Sequence, residues 1–228
     1  MTQNVDRETV VSRLLAADDI LILCHKNPDG DTIGSGTALC LALQQLGKNA
    51  ALLCSDPIPA MYDYMPITVF DGSFSPAFVV AVDVAGIQLF GERNNIRDYA
   101  EHVNLCIDHH GSNEGYGRET CVDPSCAACG ELLYRIFQAM AISFTPEIAM
   151  LLYMAIATDT GCFVYSNTTP ETHRIAAALM AVGFDAQWVN RRHFRVKSLK
   201  RMRLEGRLVQ EMELAQGGTL AFAYVTLA

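Results

Sequence analysis

Three short apolar runs in this chain break off, without transition, in loops dense with carboxylates and imidazoles. "ILILC" leads into His25, Asn27, Pro28, Asp29, Gly30 and Asp31, "FVVAV" into Asp83, and "NLCI" into Asp108, His109 and His110. An apolar run closed by turn-forming residues reads as a buried strand entering a loop. "NAALLC" reads as a further strand. Residues 5–17 have helical periodicity, and "TIGSGTALCLALQQLG" reads as a helix whose small residues permit close packing and whose end is marked by Gly47 as a C′ glycine. Strands alternating with helices predict the α/β class, a mostly parallel sheet flanked by helices.

The second half turns helical. Asp123-Pro124, Thr145-Pro146 and Thr169-Pro170 each place a capping residue before a proline suited to a first turn, and each opens an apolar-rich segment. The closing stretch "GGTLAFAYVTLA" reads as one strand of something further. The expected division is a body over 1–190, a basic linker helix over 191–215, and over 216–228 the first strand of a C-terminal domain that is missing or truncated.

Composition narrows the function classes. Half of the 228 residues are hydrophobic, enough for a sizeable core, yet no apolar run approaches the ~20 residues of a membrane-spanning helix. The N-terminus lacks the basic-then-apolar order of a signal peptide, so a cytoplasmic protein with no membrane partner is expected. A net charge of −8 argues against a broad nucleic-acid surface and against long duplex partners. Residues 191–207 nevertheless carry eight of the 17 Lys and Arg, either as a solvated helix or as a basic wall for phosphates. Most of the eight cysteines lie in apolar segments, as small buried hydrophobes do. "CAAC" at 126–129 lacks both a second pair for zinc and a thioredoxin-like surrounding, and reads as small residues at a helix start.

Each polar loop alone has a bland explanation: a satisfied core histidine at 25, an Asx turn at 27–31, helix N-caps at Asp83 and Asp159, a surface histidine pair at 109–110. Four such groups at strand or helix ends are harder to dismiss. Strands of a parallel sheet present their C-terminal ends on one edge, where the loops can converge. Carboxylates crowded there repel and raise one another's pKa unless cations neutralise them. Several aspartates with two or three histidines and no convincing thiolate suit divalent manganese or a similar borderline metal. A bridging aspartate between two such ions points to phosphate-ester hydrolysis. Gly30 is expected to let the loop turn tightly enough for Asp29 and Asp31 to face different metals.

"HKNPDGDTIGS", "VAVDVAG", "IDHHGSN" and "ATDTGCF", in this order, resemble the four motifs of the DHH phosphoesterase superfamily over roughly residues 10–215. The first and third look most like the nanoRNase/pAp phosphatase branch, related to RecJ-like proteins; family II pyrophosphatases usually carry another residue where Gly30 stands. The resemblance implies two manganese ions, one held by His25, Asp29 and Asp83, the other by Asp31, Asp83, His109 and Asp159. It implies Asp83 as bridge, Asp108 as the group orienting a histidine, and His110 facing the substrate phosphate, while a hydroxide activated by both metals attacks phosphorus in line. The implied substrates are dinucleotides and other short oligonucleotides (nanoRNA), or 3′-phosphoadenosine 5′-phosphate. Hydrolysis of pyrophosphate or polyphosphate on the same metals, and a noncatalytic nucleotide-binding domain, stand as alternatives. The branch carries a C-terminal domain with a Gly-rich, His-containing nucleotide motif, and nothing after Gly217-Gly218 resembles it. On this reading 191–207 becomes a connecting helix, and a homodimer stays open.

Overall fold

The computed structural model describes residues 2–226. The chain forms two compact units, Met1–His193 and Phe194–Ala228.

In chain order the first unit contains β1 (Gln3–Asn4), α1 (Arg7–Ala16), β2 (Ile20–Leu23), α2 (Gly30–Gln45), β3 (Ala50–Leu53), β4 (Phe78–Val82), α3 (Ile96–Ala100), β5 (Leu105–Asp108), β6 (Glu119–Val122), α4 (Cys129–Ala139), α5 (Pro146–Asp159), α6 (Pro170–Met180) and α7 (Ala186–Asn190). Six strands form one sheet in the order β1-β6-β5-β4-β2-β3, and every neighbouring pair is parallel. The expected α/β architecture is therefore the observed one. Its central strands are apolar on both sides because both faces are covered. Successive strand residues point to opposite faces. Leu21, Leu23, Val79, Ala81 and Cys106 join Phe90, Ile96 and Ala100 in one core cluster, while Ile22 and Leu52 meet Gly36 of α2 across the other face.

α2 is buried over most of its length because it is a middle layer. Gly36 faces the sheet, whereas a Cβ at Gly34 would stand 2.8 Å from the Leu151 carbonyl of α5. Gly130 of α4 meets the same helix, its Cβ position lying 2.7 Å from that of Ala155. The small residues thus do permit close packing. Gly30 belongs to this set, which corrects its expected role: it is the first residue of α2, and a Cβ there would run into Thr158. Its bareness admits α5, not a tight turn. Gly47 sits in the left-handed region (φ 74) just past α2. There Lys48 N–H bonds the Leu43 carbonyl and Gly47 N–H that of Gln44, the paired bonds of a Schellman end.

Two of the three proline-marked starts hold. Thr145 and Thr169 cap α5 and α6 through Ile148 N–H and Thr172 N–H. The third does not: Asp123 accepts from Ser125 N–H and its hydroxyl, and α4 starts only at Cys129, after an extended Ala128. Of the "CAAC" segment, expected at a helix start, only Cys129 enters the helix and 126–128 form the loop before it, with Cys126 and Cys129 both buried as free thiols. β6 escapes hydropathy because "RETCVD" is polar; Glu119 is satisfied by a two-pronged pair with Arg13 at 2.7 and 2.8 Å.

Residues 191–195 form a single π-helical turn. The second unit contains α8 (Leu199–Gln210), capped by Ser198, and an antiparallel hairpin of β7 (Glu213–Ala215) and β8 (Leu220–Phe222). The linker helix expected over 191–215 is shorter than that, and a strand precedes Gly217 as well as following it. The last two positions of the 216–228 segment lie outside the described residues. Lys197 and Arg201 both pair with Glu205, and Arg207 with Glu211, as on a solvated helix face. Among the described residues no helix is long and apolar enough to cross a membrane.

Candidate metal centre

The C-terminal edge of the sheet gathers the polar loops. His25 follows β2 by two residues, Asp83 follows β4 directly, and Asp108 ends β5 with His109 and His110 beyond it. Asp29 caps α2, its Oδ1 accepting from Asp31 N–H (3.0 Å) and Thr32 N–H (3.2 Å). Asp31 therefore starts on the first turn of the same helix. Asp159 arrives differently, as the last residue of α5. Asp83 is held at φ 60, a left-handed conformation uncommon outside glycine and found where surroundings enforce it. It caps no helix.

Three sets of potential ligand atoms lie within 4.8 Å of one another: His25, Asp29 and Asp83; Asp31, His109 and Asp159; and Asp83, His109 and His110. All six residues implied as metal ligands are brought together, with Asp83 shared between sets. Both inner histidines are oriented by a backbone carbonyl. His25 Nδ1–H donates to Lys26 O at 2.7 Å, leaving Nε2 3.5 Å from Asp29 and 3.8 Å from Asp83. His109 Nδ1–H donates to Cys126 O at 3.2 Å, leaving Nε2 3.4 to 3.7 Å from Asp159, Asp83 and Asp31. A carbonyl on Nδ1 fixes the tautomer whose Nε2 lone pair faces the centre, as in metal-ligating imidazoles.

Asp108 serves His110 instead. Its Oδ1 accepts His110 Nδ1–H at 2.8 Å together with His109 N–H, and Asn113 donates to its Oδ2 at 2.6 Å. Asp31 is gripped by the start of α4, through Cys129 N–H at 2.6 Å and Gly130 N–H at 3.0 Å, and by the Ser35 hydroxyl at 2.8 Å. These three donors were not singled out from sequence. The glycine and serine that allow them look like ordinary helix residues until α2 and α4 are packed.

The electrostatics show what is lacking among protein groups. Burial, then repulsion from Asp31, Asp29, Asp108 and Asp159, pushes the Asp83 carboxyl well above its ordinary range. Burial and the Asp31 charge push Asp159 up to about 6. Asp31 is raised as well, by burial ahead of its neighbours. Asp29 and Asp108 are also penalised by burial, yet the His25 imidazole and two helix amides beside Asp29, and the His110 and Asn113 bonds to Asp108, hold both below the usual carboxylate range. His110 is raised by its bond to Asp108. At the focus, Asp83 Oδ1 and His109 Nε2 are buried with no hydrogen-bond partner. Buried acceptors are almost always partnered. Two orphaned acceptors, amid carboxylates that repel one another, fit divalent cations, and the cluster has the makings of a dimetal centre.

A bifunctional oligoribonuclease and PAP phosphatase of Thermus thermophilus is 32% identical over 96% of this chain and 68% of its own length. Its Bacillus subtilis namesake is 27% identical over 88% of this chain and 64% of its own. The chain thus spans about two thirds of these relatives. Among solved structures, an exopolyphosphatase-related protein from Bacteroides fragilis matches with a TM-score of 0.81 at 24% identity, over 92% of this chain and 66% of that one. A putative family II inorganic pyrophosphatase from Methanococcus jannaschii matches at 0.57 and 18% identity, over 76% of this chain and 60% of that one, which shows shared fold. The model of the DHH family, N-terminal domain, matches residues 19–156, which span the strands carrying His25, Asp83 and Asp108; by this match and the Thermus relative, the chain belongs to the DHH family.

Proposed function

We propose that this chain is a manganese-dependent phosphoesterase acting on dinucleotides and other short oligonucleotides or on 3′-phosphoadenosine 5′-phosphate. The observation that carries the reading is the pair of orphaned acceptors, Asp83 Oδ1 and His109 Nε2, at the meeting point of the aspartates. The names of the Thermus and Bacillus relatives, both oligoribonucleases and PAP phosphatases, support the substrate class.

His25, Asp29 and Asp83 would hold one ion and Asp31, Asp83, His109 and Asp159 the other, with Asp83 common to both. Bound ions at such a centre would neutralise phosphate charge and make a water acidic enough to ionise near neutral pH. The chain's own groups do the rest. Lys26 O and Cys126 O hold both inner imidazoles by Nδ1 and aim their Nε2 atoms inward. Asp108 holds His110 by Nδ1 and favours its protonated form, so His110 can donate its Nε2–H to a phosphoryl oxygen as charge develops there. Its side chain is 43% exposed, which leaves it open to a substrate.

The test is a substrate panel on the purified chain with added manganese: a dinucleotide, 3′-phosphoadenosine 5′-phosphate and pyrophosphate. Release of mononucleotide or of orthophosphate from the adenosine compound, faster than from pyrophosphate, supports the reading. Turnover of pyrophosphate alone, or nucleotide binding without turnover under any metal, refutes it.

A further inference from the structure

Outside the ligand set, one fully buried carboxylate is unclaimed by the chemistry. Glu131 lies in the first turn of α4 with no exposed surface. Its Oε2 accepts from Ala127 N–H (3.2 Å) and from the Thr172 hydroxyl of α6 (3.0 Å), and its Oε1 from Arg135 Nη2 (2.7 Å). Burying an ionised carboxylate is costly unless each oxygen is partnered, and here each is. What those partners hold is the loop before α4. Residues 123–128 turn back on themselves through Cys126 N–H to Asp123 O, and Arg135 Nη1 reaches Asp123 at 3.5 Å.

The loop, with Asn167 and the α4 start that follows it, reaches each residue of one metal set. Cys126 O takes the Nδ1–H of His109. Ala127 O takes Asn167 Nδ2, which also bonds the Asp159 carbonyl at 3.2 Å. The amides of Cys129 and Gly130, which follow the loop, grip Asp31. Neither His25 nor Asp29 has a partner in it; they are held by Lys26 O and by the amides of Asp31 and Thr32.

We infer that Glu131 is a positioning residue for one metal only: by holding the 123–128 loop from beneath, it orients Asp31, His109 and Asp159 together and leaves the His25/Asp29 side untouched. This rests on the dimetal reading above. Removing a group that orients metal ligands costs metal affinity about 10- to 100-fold, and here the loss should fall on one of two binding events.

Manganese titration of the whole chain by calorimetry tests it, alongside electron paramagnetic resonance of the bound ion. Asp159→Asn and Asp29→Asn label the two events by which one each weakens. Glu131→Gln should weaken the Asp159-labelled event about 10- to 100-fold and leave the Asp29-labelled event within about twofold. The reason is geometric: with Arg135 demanding the amide oxygen, the new NH2 faces Ala127 N–H. Adding Arg135→Met frees that oxygen for Ala127 N–H and Thr172, so the double variant should regain affinity for the weakened ion. A purely structural role predicts a further loss instead. Asn167→Ala, at an exposed position, should leave the fold intact and weaken the same event. Equal weakening of both events in Glu131→Gln, unchanged binding in both Glu131→Gln and Asn167→Ala, or a double variant worse than the single would overturn the inference. A wild-type chain that binds no manganese would instead overturn the dimetal reading itself.

Discussion

The two halves of the candidate centre are built in opposite ways. His25 and Asp29 are four residues apart on one loop and are held almost entirely by that loop: a neighbouring carbonyl for the histidine, two helix amides for the aspartate. Asp31, His109 and Asp159 come from α2, the end of β5 and the end of α5, and are tied by a fourth segment, 123–130, that contributes no side-chain ligand of its own. The first half is local, with the Asp29 side chain 57% exposed; the second is long-range, with Asp31 1% exposed. Local geometry survives much disturbance of the rest of the fold, whereas the second half should fail whenever packing between α2, α4 and α5 is disturbed.

The largest effect is expected at the residue the halves share. Asp83→Asn should abolish tight binding of both ions and lower turnover roughly 10³-fold or more, the scale of losing a strong electrostatic contact to the transition state. It should also raise the melting temperature of the metal-free chain, because a buried carboxylate pressed by four others is removed and asparagine tolerates φ 60 better. A metal-free melting temperature that falls would break the account of the centre as electrostatically frustrated.

Asp29→Ser separates the halves. Serine keeps the N-cap of α2, so stability should stay within about 0.5 kcal/mol, whereas alanine should cost about 1 kcal/mol. Both should lose one manganese and retain the other in the same titration. Loss of both ions from Asp29→Ser would show that the halves are not independent.

A third expectation concerns pH. In the metal-free chain Asp159 is raised from 3.8 to about 6 and Asp31 and Asp83 are raised too, so between those values the folded form binds more protons than the unfolded. Stability should therefore fall as pH rises from about 4 to about 6. His110, raised by Asp108, acts in the same sense: its contribution is complete below about 6.5 and is lost as pH rises through its elevated pKa. Asp29 and Asp108, held low, contribute stability that is present above about 4 and lost as pH falls below it. Manganese should reverse the upper trend and release protons at pH 6, which denaturation with and without the ion and calorimetry in two buffers will show.

The smallest effect is expected at the thiol that looks most like a ligand. Cys126→Ala should change manganese affinity less than about twofold while costing about 1 kcal/mol of packing, because the second half uses the Cys126 carbonyl and not its sulfur. A tenfold loss of affinity would make the thiol a ligand and break this assignment.

Much of the local half was legible without a structure. Short-range rules suffice where a strand, a turn and a helix cap follow one another, as from Ile20 to Thr32, and the same rules marked Gly47, Thr145 and Thr169. They failed at Asp123-Pro124, where a good capping pair is overruled because Cys126 and Ala127 must turn their carbonyls toward His109 and Asn167 rather than enter a helix. They failed at Gly30, whose reason is Thr158 on another helix. They gave no sign of Glu131, since a glutamate in a first helical turn is commonplace and only burial makes it unusual.

Residue order alone determined the α/β class, the strands that end in carboxylates and histidines, and which ionisable groups were available to meet. Which of them share a cation, which imidazole nitrogen faces inward and which backbone atoms hold them were decided by tertiary packing. Chain order sets which loops lie on one sheet edge, but separations of a few ångströms depend on how closely α2, α4 and α5 approach, and that is settled by glycines such as Gly30 and Gly34, whose partners on α5 are more than a hundred residues away.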